Sequence, residues 1–306
     1  MIHIACSTDD NYAQLCGVML CSLLENNKKH SFHIHILENG LSVENIDKFL
    51  QQCQRYNAKC SFHIVNDQLL EKCKYRTTHH RLSKAAYYRI LLPSTLQDVD
   101  KVIYLDCDMV VLSDLSSVYD IEISPYSLAA VEDYGLLLVE DHLTQLEFNN
   151  EDKYFNSGFL VINLKYWREH NSEKQLLDFA TKERKVFCHD QDALNYVFKN
   201  SWLRLPPKWN HFNIFTFRIN PFYSKIEYKE FFSEVCVIHF ADKYFKPWFK
   251  TPFVPYRKIW NKYMQMSDFN NIVQKSNDKS IYTILKITYL QFKIVLFKVR
   301  YKLLWS

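Results

Sequence analysis

The sequence predicts an α/β protein with a mostly parallel sheet, and three observations support this fold class. Apolar segments with the period of a strand alternate with amphipathic segments of helical period between Ile2 and Val65. Strand, helix, strand, helix, strand in that order is typical of a parallel sheet with helices on its faces. The chain has 306 residues, of which 48% are hydrophobic, so it can bury a large core.

Each predicted element has a local signal. Ser42 can cap a helix because its side chain can accept a hydrogen bond from the first turn, where Glu44 adds an acid. The predicted strands are residues 2–7, 32–37, 60–65, 101–111, 127–131 and 159–164, and the predicted helices are residues 12–25, 42–56, 82–92, 172–182 and 191–198. Because no repeat or low-complexity linker divides the chain, we expect one domain over residues 1–265 and a C-terminal appendage over residues 266–306.

Two acids lie in the most informative of these strands. Asp106 and Asp108 belong to the β-branched, apolar run 101–111, and alternate residues of a strand point to the same face. They would therefore project together, while Cys107 points away. Two carboxylates placed in this way can share one divalent cation, which can in turn bind a diphosphate. Two solvated acids at a strand end are also common without such a role, so the other motifs must decide.

Composition argues against several classes of protein. The four glycines form neither a Gly-x-Gly-x-x-Gly dinucleotide fingerprint nor a Walker A loop, which removes the usual phosphate-binding loops. Nine cysteines without a Cys-x-x-Cys pair indicate neither a disulfide framework nor a zinc finger, and they favour reduced thiols in the cytoplasm. The N-terminal residues lack the basic and apolar regions of a secretory signal, which also favours a cytoplasmic protein.

Positive charge is concentrated at the C-terminal end of the chain. The whole chain has 38 Lys and Arg against 34 Asp and Glu, and residues 271–306 account for seven of these basic residues and only one of the acids. The body that precedes this tail is therefore nearly neutral. Because that body would have to offer the binding fold, we expect no nucleic-acid partner.

The tail itself has the pattern of an interfacial helix. Basic residues recur every seven positions at Lys279, Lys286, Lys293 and Arg300, between apolar and aromatic residues. The uncharged runs are shorter than the roughly 20 residues that span a bilayer. We therefore predict a helix that lies on an anionic membrane surface, with the protein peripheral on the inner face of the cytoplasmic membrane. A helix that packs on the domain or on a partner is the alternative.

Polar motifs occur at the predicted carboxyl ends of strands, where open parallel sheets place their ligand sites. They are Ser7-Thr-Asp-Asp-Asn-Tyr12, Lys84-Ala-Ala-Tyr-Tyr-Arg89, Asp106-Cys-Asp108, Glu132-Asp133, Phe155-Asn-Ser-Gly158, His189-Asp-Gln-Asp-Ala-Leu-Asn195, and Ile238-His-Phe240 with Lys246-Pro-Trp248. Their order and spacing resemble glycosyltransferase family 8, the retaining transferases that include bacterial lipooligosaccharide and lipopolysaccharide glucosyl- and galactosyltransferases and glycogenin. The resemblance covers residues 2–248 and implies a GT-A fold, a single Rossmann-like nucleotide-binding domain.

The resemblance implies a metal site and a site for a UDP-sugar donor. Asp106, Asp108 and His239 match the metal ligands of the family, and two carboxylates with one imidazole suit Mn²⁺ better than the alternative Mg²⁺. The residues that match nucleotide- and donor-binding positions are Ala5 through its backbone, Asp9, Asn11, Arg89, Asp106 and the diphosphate-binding Lys246.

A further set matches the pocket for the donor sugar and the acceptor. Its members are Asp133, Asn156, Gly158, Asp190 and Gln191. Gly158 would let the chain approach the sugar closely. Asp190 and Gln191 are the catalytic candidates. Because Gln191 holds the position where double displacement would need a carboxylate, and an amide is a poor nucleophile, the resemblance favours attack from the face that UDP leaves.

One loop departs from the family pattern. Relatives commonly have His-x-x-Gly-x-x-Lys-Pro-Trp, whereas this chain has one extra residue between His239 and Lys246, and Asp242 in place of the glycine. The carboxylate of Asp242 would either repel a diphosphate or turn outward, and Lys243 could offset its charge.

The predicted function is retaining, metal-dependent transfer of glucose or galactose from UDP-hexose to a glycan or lipid-linked oligosaccharide, such as lipopolysaccharide. Two alternatives come from other classes. A nucleotidyltransferase also uses paired acids and a metal, but it usually has a Gly-rich phosphate loop. A non-catalytic protein that binds sugars or sugar nucleotides would have lost its metal ligands, and all three candidates are present here.

Overall fold

The computed structural model describes residues 1–73, 83–133, 142–149, 151–182, 188–213, 234–251 and 254–271, and the single tail residues 285, 288, 289 and 292. Its strands are β1 (Ile2–Thr8), β2 (Phe32–Glu38), β3 (Lys59–Ile64), β4 (Lys101–Leu105), β5 (Met109–Val111), β6 (Leu128–Glu132), β7 (Phe155–Asn163), β8 (Trp202–Arg204), β9 (His211–Phe212) and β10 (Val237–His239). Its α-helices are α1 (Ala13–Asn26), α2 (Val43–Arg55), α3 (Leu92–Thr95), α4 (Ser116–Tyr119), α5 (His142–Gln145), α6 (Leu164–Glu169), α7 (Ser172–Thr181), α8 (His189–Phe198) and α9 (Arg257–Met266). Short 3₁₀ helices lie at Asp67–Leu70, Lys84–Leu91 and Pro207–Asn210.

The main sheet has seven strands in the order β3-β2-β1-β4-β7-β6-β8. Strand β1 runs parallel to β2 and to β4, and β2 runs parallel to β3. Strand β7 is antiparallel to both β4 and β6, whereas β6 and β8 are parallel. The expected mixed, mostly parallel sheet is therefore confirmed. Helices connect the first parallel strands, which is the arrangement that parallel pairing requires.

The prediction of one continuous strand over residues 101–111 is wrong. The chain leaves the main sheet after Leu105, forms a turn at Asp106–Asp108, and enters a small sheet of order β5-β10-β9. In this sheet β5 is antiparallel to β10, with Met109 opposite His239. Both halves of the segment are apolar and β-branched, so the sequence pattern does not distinguish them. They form two strands because they pair with different partners.

Most of the other predicted elements lie within a few residues of the observed ones. Ser42 caps α2 as expected, because its side chain accepts a hydrogen bond from Asn45 N. The predicted helix over residues 82–92 is instead the 3₁₀ helix Lys84–Leu91, followed by α3. Strand β7 begins earlier than predicted, at Phe155, and α8 begins at His189.

The core lies on both faces of the main sheet. Ile4 of β1, Leu20 of α1 and Phe49 of α2 belong to one apolar cluster, and Tyr104 of β4 and Trp167 of α6 belong to the other. Burial of a large apolar side chain stabilises a fold by about 1.5–3 kcal/mol. Burial on both faces explains why β1 and β4 are almost continuously apolar.

Phe269, which follows α9, joins the chain end to the same core. A Cβ at Gly17 of α1 would lie 2.0 Å from the ring of Phe269, so glycine is needed where the ring packs on the helix. The ring also lies 4.7 Å from that of Phe49, measured between centroids. Residues beyond α9 therefore contribute to the packing of α1 and α2.

The described tail residues are helical and exposed. Leu285, Tyr289 and Phe292 have exposed fractions of 64%, 55% and 64%, and their spacing places them on one face of a helix. The rest of the predicted tail helix lies outside the described residues. No helix within the described part of the chain has the length and apolar character needed to cross a bilayer.

Candidate active site

The paired acids lie in the turn between β4 and β5. Asp106 N donates to Gly158 O at 2.9 Å, and Phe240 N donates to Asp108 O at 2.9 Å, so backbone bonds fix the turn to β7 and to the end of β10. Cys107 points away from the acids, as predicted, and its thiol donates to Ser7 O of β1. The acids therefore project from the carboxyl end of β4, although not from the face of a strand.

Three candidate metal ligands meet at this turn. Asp106, Asp108 and His239 each offer a ligand atom, and these atoms lie within 4.8 Å of one another. His239 Nε2 lies 3.2 Å from Asp108 Oδ1, while His239 Nδ1 lies 2.9 Å from Asn210 Oδ1. A hydrogen bond from Nδ1–H leaves Nε2 as the ligand atom, which is the usual arrangement around metal-binding histidines. Two carboxylates and one imidazole fit a divalent cation such as Mn²⁺.

Two cationic side chains also contact the acids. Lys246 Nζ lies 2.7 Å from Asp108 Oδ2, and Arg89 Nη2 donates to Asp106 Oδ1 at 2.7 Å. Burial acts to raise the pKa of Asp108, but Lys246 and His239 outweigh it and lower this pKa well below its usual range. Asp108 is therefore ionised and available to bind a cation at neutral pH.

Arg89 connects the paired acids to α8. Its side chain is 4% exposed, Nη1 donates to Ser157 O at 2.5 Å, and Nε lies 3.1 Å from Asp190 Oδ2. The guanidinium also lies over the ring of Tyr104, 4.4 Å from its centroid. Burial acts to lower the pKa of Arg89, but Asp106, Tyr104 and Asp190 outweigh this effect and raise it.

Asp190 is a buried acid in the first turn of α8. Burial raises the pKa of its carboxyl to about 6, against the opposing effect of Arg89. Among the residues that the structure describes, Oδ2 of Asp190 accepts no hydrogen bond, and its polar contact is the ion pair with Arg89. It is ionised at neutral pH but weakly solvated, as is common for acids in functional sites.

Gln191 follows Asp190, and its amide is fixed in orientation. Its Oε1 accepts hydrogen bonds from Ser157 N at 2.9 Å and Asn156 Nδ2 at 3.1 Å, and its Nε2 donates to Asp133 Oδ2 at 3.1 Å. The structure thus brings together Asp133, Asn156 and Gln191, and their role in a pocket for the donor sugar and the acceptor stays a prediction.

A chain of hydrogen bonds connects this pocket with the metal ligands through Asn210. Asn156 Oδ1 accepts from Asn210 Nδ2 at 2.8 Å, and Asn210 Oδ1 faces His239 Nδ1. Sequence reasoning gave Asn210 no role, because it lies in a 3₁₀ helix with no recognisable motif. Its place in a proline- and aromatic-rich stretch was the available signal.

Gly158 makes room for His239. A Cβ at this position would lie 2.4 Å from His239 Cε1 and 2.8 Å from Met109 Cε. The structure therefore gives the glycine a partner within the protein, the imidazole of the candidate metal site. Close approach to a sugar stays a prediction.

The proposed nucleotide residues lie at β1 and in the turn after it. Ala5 is buried within β1, Asn11 is exposed, and Asp9 accepts hydrogen bonds from Tyr12 N at 3.0 Å and Ser83 Oγ at 2.6 Å. Sequence reasoning also missed Tyr12, whose side chain is 46% exposed. Burial and then the charge of Asp108 raise the pKa of Tyr12.

The loop before Lys246 uses Asp242 internally. Asp242 Oδ1 accepts from Tyr244 N at 2.7 Å and Phe245 N at 3.3 Å, as in an Asx turn. The ammonium of Lys243 lies over the ring of Tyr244. The carboxylate of Asp242 is thus bound to its own loop, while Lys246 contacts Asp108 and Phe240 O.

Comparison with known proteins identifies the family. The sequence profile described as Glycosyl transferase family 8 matches residues 3–251. The chain belongs to glycosyltransferase family 8. General stress protein A of Bacillus subtilis (strain 168) is 30% identical over 281 residues, which cover 89% of this chain and 96% of that protein. Lipopolysaccharide 1,2-glucosyltransferase of Escherichia coli is 27% identical over 214 residues, 68% of this chain and 62% of that protein.

Solved structures agree on the fold of this family 8 member. Galactosyltransferase LgtC, crystallised with donor and acceptor sugar analogs, superposes with a TM-score of 0.73 at 23% identity, covering 87% of this chain and 96% of that one. Glycosyltransferase GlyE of Streptococcus pneumoniae TIGR4 has a TM-score of 0.64 at 21% identity, covering 92% and 67%. The expected GT-A fold is confirmed, and membership of the family makes the chain a glycosyltransferase.

Proposed function

We propose that this chain transfers a hexose from UDP-hexose to a glycan hydroxyl, with retention of configuration and dependence on a divalent cation. The observation that supports this function best is the continuous network between two groups of residues. Asp106, Asp108 and His239 form a cation-binding cluster, and Asn210 connects that cluster to the buried amide of Gln191. One end suits a diphosphate, and the other suits the hydroxyls of a sugar.

The nucleotide would bind at the turn after β1. Tyr12 offers an exposed aromatic face for a uracil ring, and Asp9 and Asn11 offer polar groups beside it, near the backbone of Ala5. Lys246 is a compact point charge suited to a phosphate oxygen. Mn²⁺ bound by Asp106, Asp108 and His239 would stabilise the negative charge on the departing UDP.

The donor sugar would bind between Arg89 and Gln191. Asp133 and Asn156 are buried, hydrogen-bonded groups that a sugar hydroxyl can contact without their reorganising. Arg89 fixes the positions of both Asp106 and Asp190, so it would align the diphosphate end of the donor with the pocket. Such preorganisation is a main source of catalytic rate enhancement.

Attack from the face that UDP leaves fits the geometry best. Gln191 Oε1 already accepts hydrogen bonds from Ser157 and Asn156, and an amide oxygen is a poor nucleophile. Gln191 is therefore suited to position the sugar and to stabilise its positive charge. Double displacement through Asp190 is the second candidate, because its buried Oδ2 forms an ion pair with Arg89 but accepts no hydrogen bond among the described residues.

The acceptor class rests on the relatives and on the tail. Lipopolysaccharide 1,2-glucosyltransferases are among the similar proteins, so we infer a lipopolysaccharide or another cell-surface oligosaccharide as the acceptor. The exposed apolar face formed by Leu285, Tyr289 and Phe292 supports a tail that lies on an anionic membrane, where a lipid-linked acceptor would be found. We therefore infer that the enzyme acts at the inner face of the cytoplasmic membrane.

Release of UDP from UDP-glucose and UDP-galactose, with Mn²⁺ or with a chelator, tests the donor and the metal. We expect release from one donor in Mn²⁺ and almost none in chelator. A non-catalytic binding protein would release no UDP, and a nucleotidyltransferase would release products other than UDP.

Transfer to a soluble acceptor then tests the mechanism. We expect an α-linked product from the α-linked donor by NMR, and slower but continuing transfer by Gln191→Ala. A β-linked product would contradict retention. A glycosyl adduct on Asp190 of the wild-type protein, found by mass spectrometry, would replace front-face attack with double displacement.

A further inference from the structure

Four histidines on three neighbouring strands share one face of the main sheet. His3 lies on β1 opposite His33 of β2, His35 follows on β2, and His63 lies on β3 opposite Leu37. Because alternate residues of a strand share a face, all four imidazoles project on the same side. None of the four belongs to the candidate transferase site.

The nitrogens of three of these histidines are spaced like metal ligands. One ring nitrogen from each of His3, His33 and His35 lies within 4.8 Å of the other two. His3 Nδ1 is 3.0 Å from His35 Nε2. Two nitrogens on one tetrahedral Zn²⁺ at about 2.0–2.1 Å lie about 3.3 Å apart, so small side-chain adjustments would admit an ion.

Outer contacts set the tautomers that such a site requires. His33 Nε2 lies 2.8 Å from Ser61 Oγ, and His35 Nδ1 lies 3.1 Å from His63 Nε2. Imidazoles that bind a metal usually donate their second N–H to a neighbouring polar group. If these nitrogens donate, Nδ1 of His33 and Nε2 of His35 carry lone pairs for an ion.

The chemistry of the cluster selects the type of ion. A set of uncharged imidazoles suits Zn²⁺, Ni²⁺ and Cu²⁺, whereas Mg²⁺ and Ca²⁺ prefer oxygen ligands. Burial lowers the pKa of His35 to about 3, which agrees with an uncharged ring. His3 and His33 are only half-buried, so an ion can reach them from solvent.

The cluster is separate from the transferase site. Ala5 of β1 lies opposite Tyr104 of β4, so His3 precedes the level of Asp106 by four residues. Four residues of a strand span about 13 Å. An ion at the histidines would therefore not be the ion bound by the paired acids.

We propose that His3, His33 and His35 form a second metal site, for Zn²⁺ or a similar late transition ion, which cross-links β1 and β2. His63 and Ser61 are the supporting partners that orient two of the imidazoles.

Zinc binding by the full, untagged chain after removal of metals tests this site. The background is the double variant Asp106→Asn/Asp108→Asn, in which the catalytic cluster binds metal weakly. Calorimetry and elemental analysis then measure the Zn²⁺ that this variant still binds. We expect one equivalent to remain bound. Adding His33→Gln should weaken its binding at least about 100-fold, and adding His63→Gln should weaken it by about 10–100-fold.

Controls separate ligation from folding. Because His35 is buried, the substitutions are made at the half-buried His3 and His33. Each variant must have the wild-type melting temperature in the presence of a chelator. Zn²⁺ should raise that temperature for the wild type and not for His33→Gln. His30→Gln, a histidine paired with Asp114, should bind zinc like the wild type. Equal Zn²⁺ affinity in the His3→Gln/His33→Gln double variant, or no zinc bound when the catalytic cluster is weakened, would overturn the proposal.

Discussion

Asp108 is the side chain on which the interactions of the active site converge. One carboxylate oxygen faces His239, the other faces Lys246, and its backbone oxygen accepts from Phe240. Its local sequence explains little of this, because all three partners belong to the segment 239–246, far along the chain. Single substitutions here and at Asn210 therefore test the site most directly.

Asp108→Asn should remove most turnover while leaving the fold intact. The amide keeps the size of the side chain but loses the charge that binds both a cation and Lys246. We expect kcat to fall about 10²–10³-fold, comparable to the loss of one electrostatic contact to a transition state. Manganese titration of the activity measures this, with the exposed Asp98→Asn as the control. If a chelator left the wild-type turnover unchanged, the assignment of Asp108 as a metal ligand would be contradicted.

Asn210→Ala should weaken metal binding without abolishing chemistry. Loss of the Oδ1 acceptor frees the orientation of His239, and loss of such outer partners typically costs about 10–100-fold in metal affinity. Saturating Mn²⁺ should restore most of kcat, which separates a positioning role from a direct one. The exposed Asn200→Ala is the matched control. Unchanged dependence on Mn²⁺ would show that Asn156 and His239 are positioned without Asn210.

Asp114 connects two secondary-structure elements, because it joins the turn after α1 to the start of α4. Its carboxylate lies 2.7 Å from Lys29 Nζ and 2.9 Å from His30 Nε2, and it accepts from Ser116 N at 2.8 Å. Burial acts to raise the pKa of Asp114, but Lys29, His30 and Ser116 outweigh it and lower this pKa. The unfolded chain therefore binds more protons at this carboxyl than the folded chain in acid.

The sign of this shift predicts a pH-dependent effect of Asp114→Asn. A carboxyl whose pKa is lowered in the folded state stabilises the fold at pH values above its pKa in the unfolded chain, about 3.9. This contribution is lost as the pH falls through the pKa of the folded state. We expect the variant to lose about 0.5–1 kcal/mol of unfolding free energy at pH 7, because solvent screens these partly exposed ion pairs. The difference should shrink as the pH is lowered below about 4. Urea unfolding at several pH values, with Asp98→Asn as the control, measures it. A difference independent of pH would refute the assignment to the ionised carboxylate.

Across the whole molecule, the charge and the exposed apolar surface of the tail contrast with the near-neutral body. Residues 271–306 carry seven of the 38 basic residues and one of the 34 acids, so the charges of the body almost cancel. Leu285, Tyr289 and Phe292 lie on one helix face. If the tail binds a membrane surface as proposed, its removal should leave the chemistry of the body intact.

Removal of residues 280–306 should abolish binding to anionic vesicles and spare turnover on soluble acceptors. Each basic residue near such a surface contributes about 1 kcal/mol, and the apolar face contributes more. Cosedimentation at low and high salt measures binding. The full-length variant Leu285→Ser/Tyr289→Ser/Phe292→Ser keeps the charge and should also bind weakly. Equal vesicle binding by the truncated protein would refute the membrane role of the tail.

The sequence was sufficient for the properties that depend on local pattern. Alternating periods between Ile2 and Val65 predicted β1, α1, β2, α2 and β3, and the chemistry of Ser42 predicted a cap that the structure confirms. The order of short polar motifs was sufficient for the family, because each motif is contiguous along the chain. Asp106, Asp108 and His239 were predicted in this way to be metal ligands, and the structure brings their side chains together.

Tertiary structure decided the properties that depend on pairing between distant segments. The run 101–111 has a uniform pattern, yet β4 pairs with β1 and β7 while β5 pairs with β10, so the acids lie in a turn. Asn210 has no local signal, and only the approach of β10 to β7 gives it both His239 and Asn156 as partners. Gly158 is required by the ring of His239, which belongs to β10, a strand far from Gly158 along the chain. The hydrophobic period of a segment determines which of its side chains face the core. The order of strands in the sheet determines which segments are in contact.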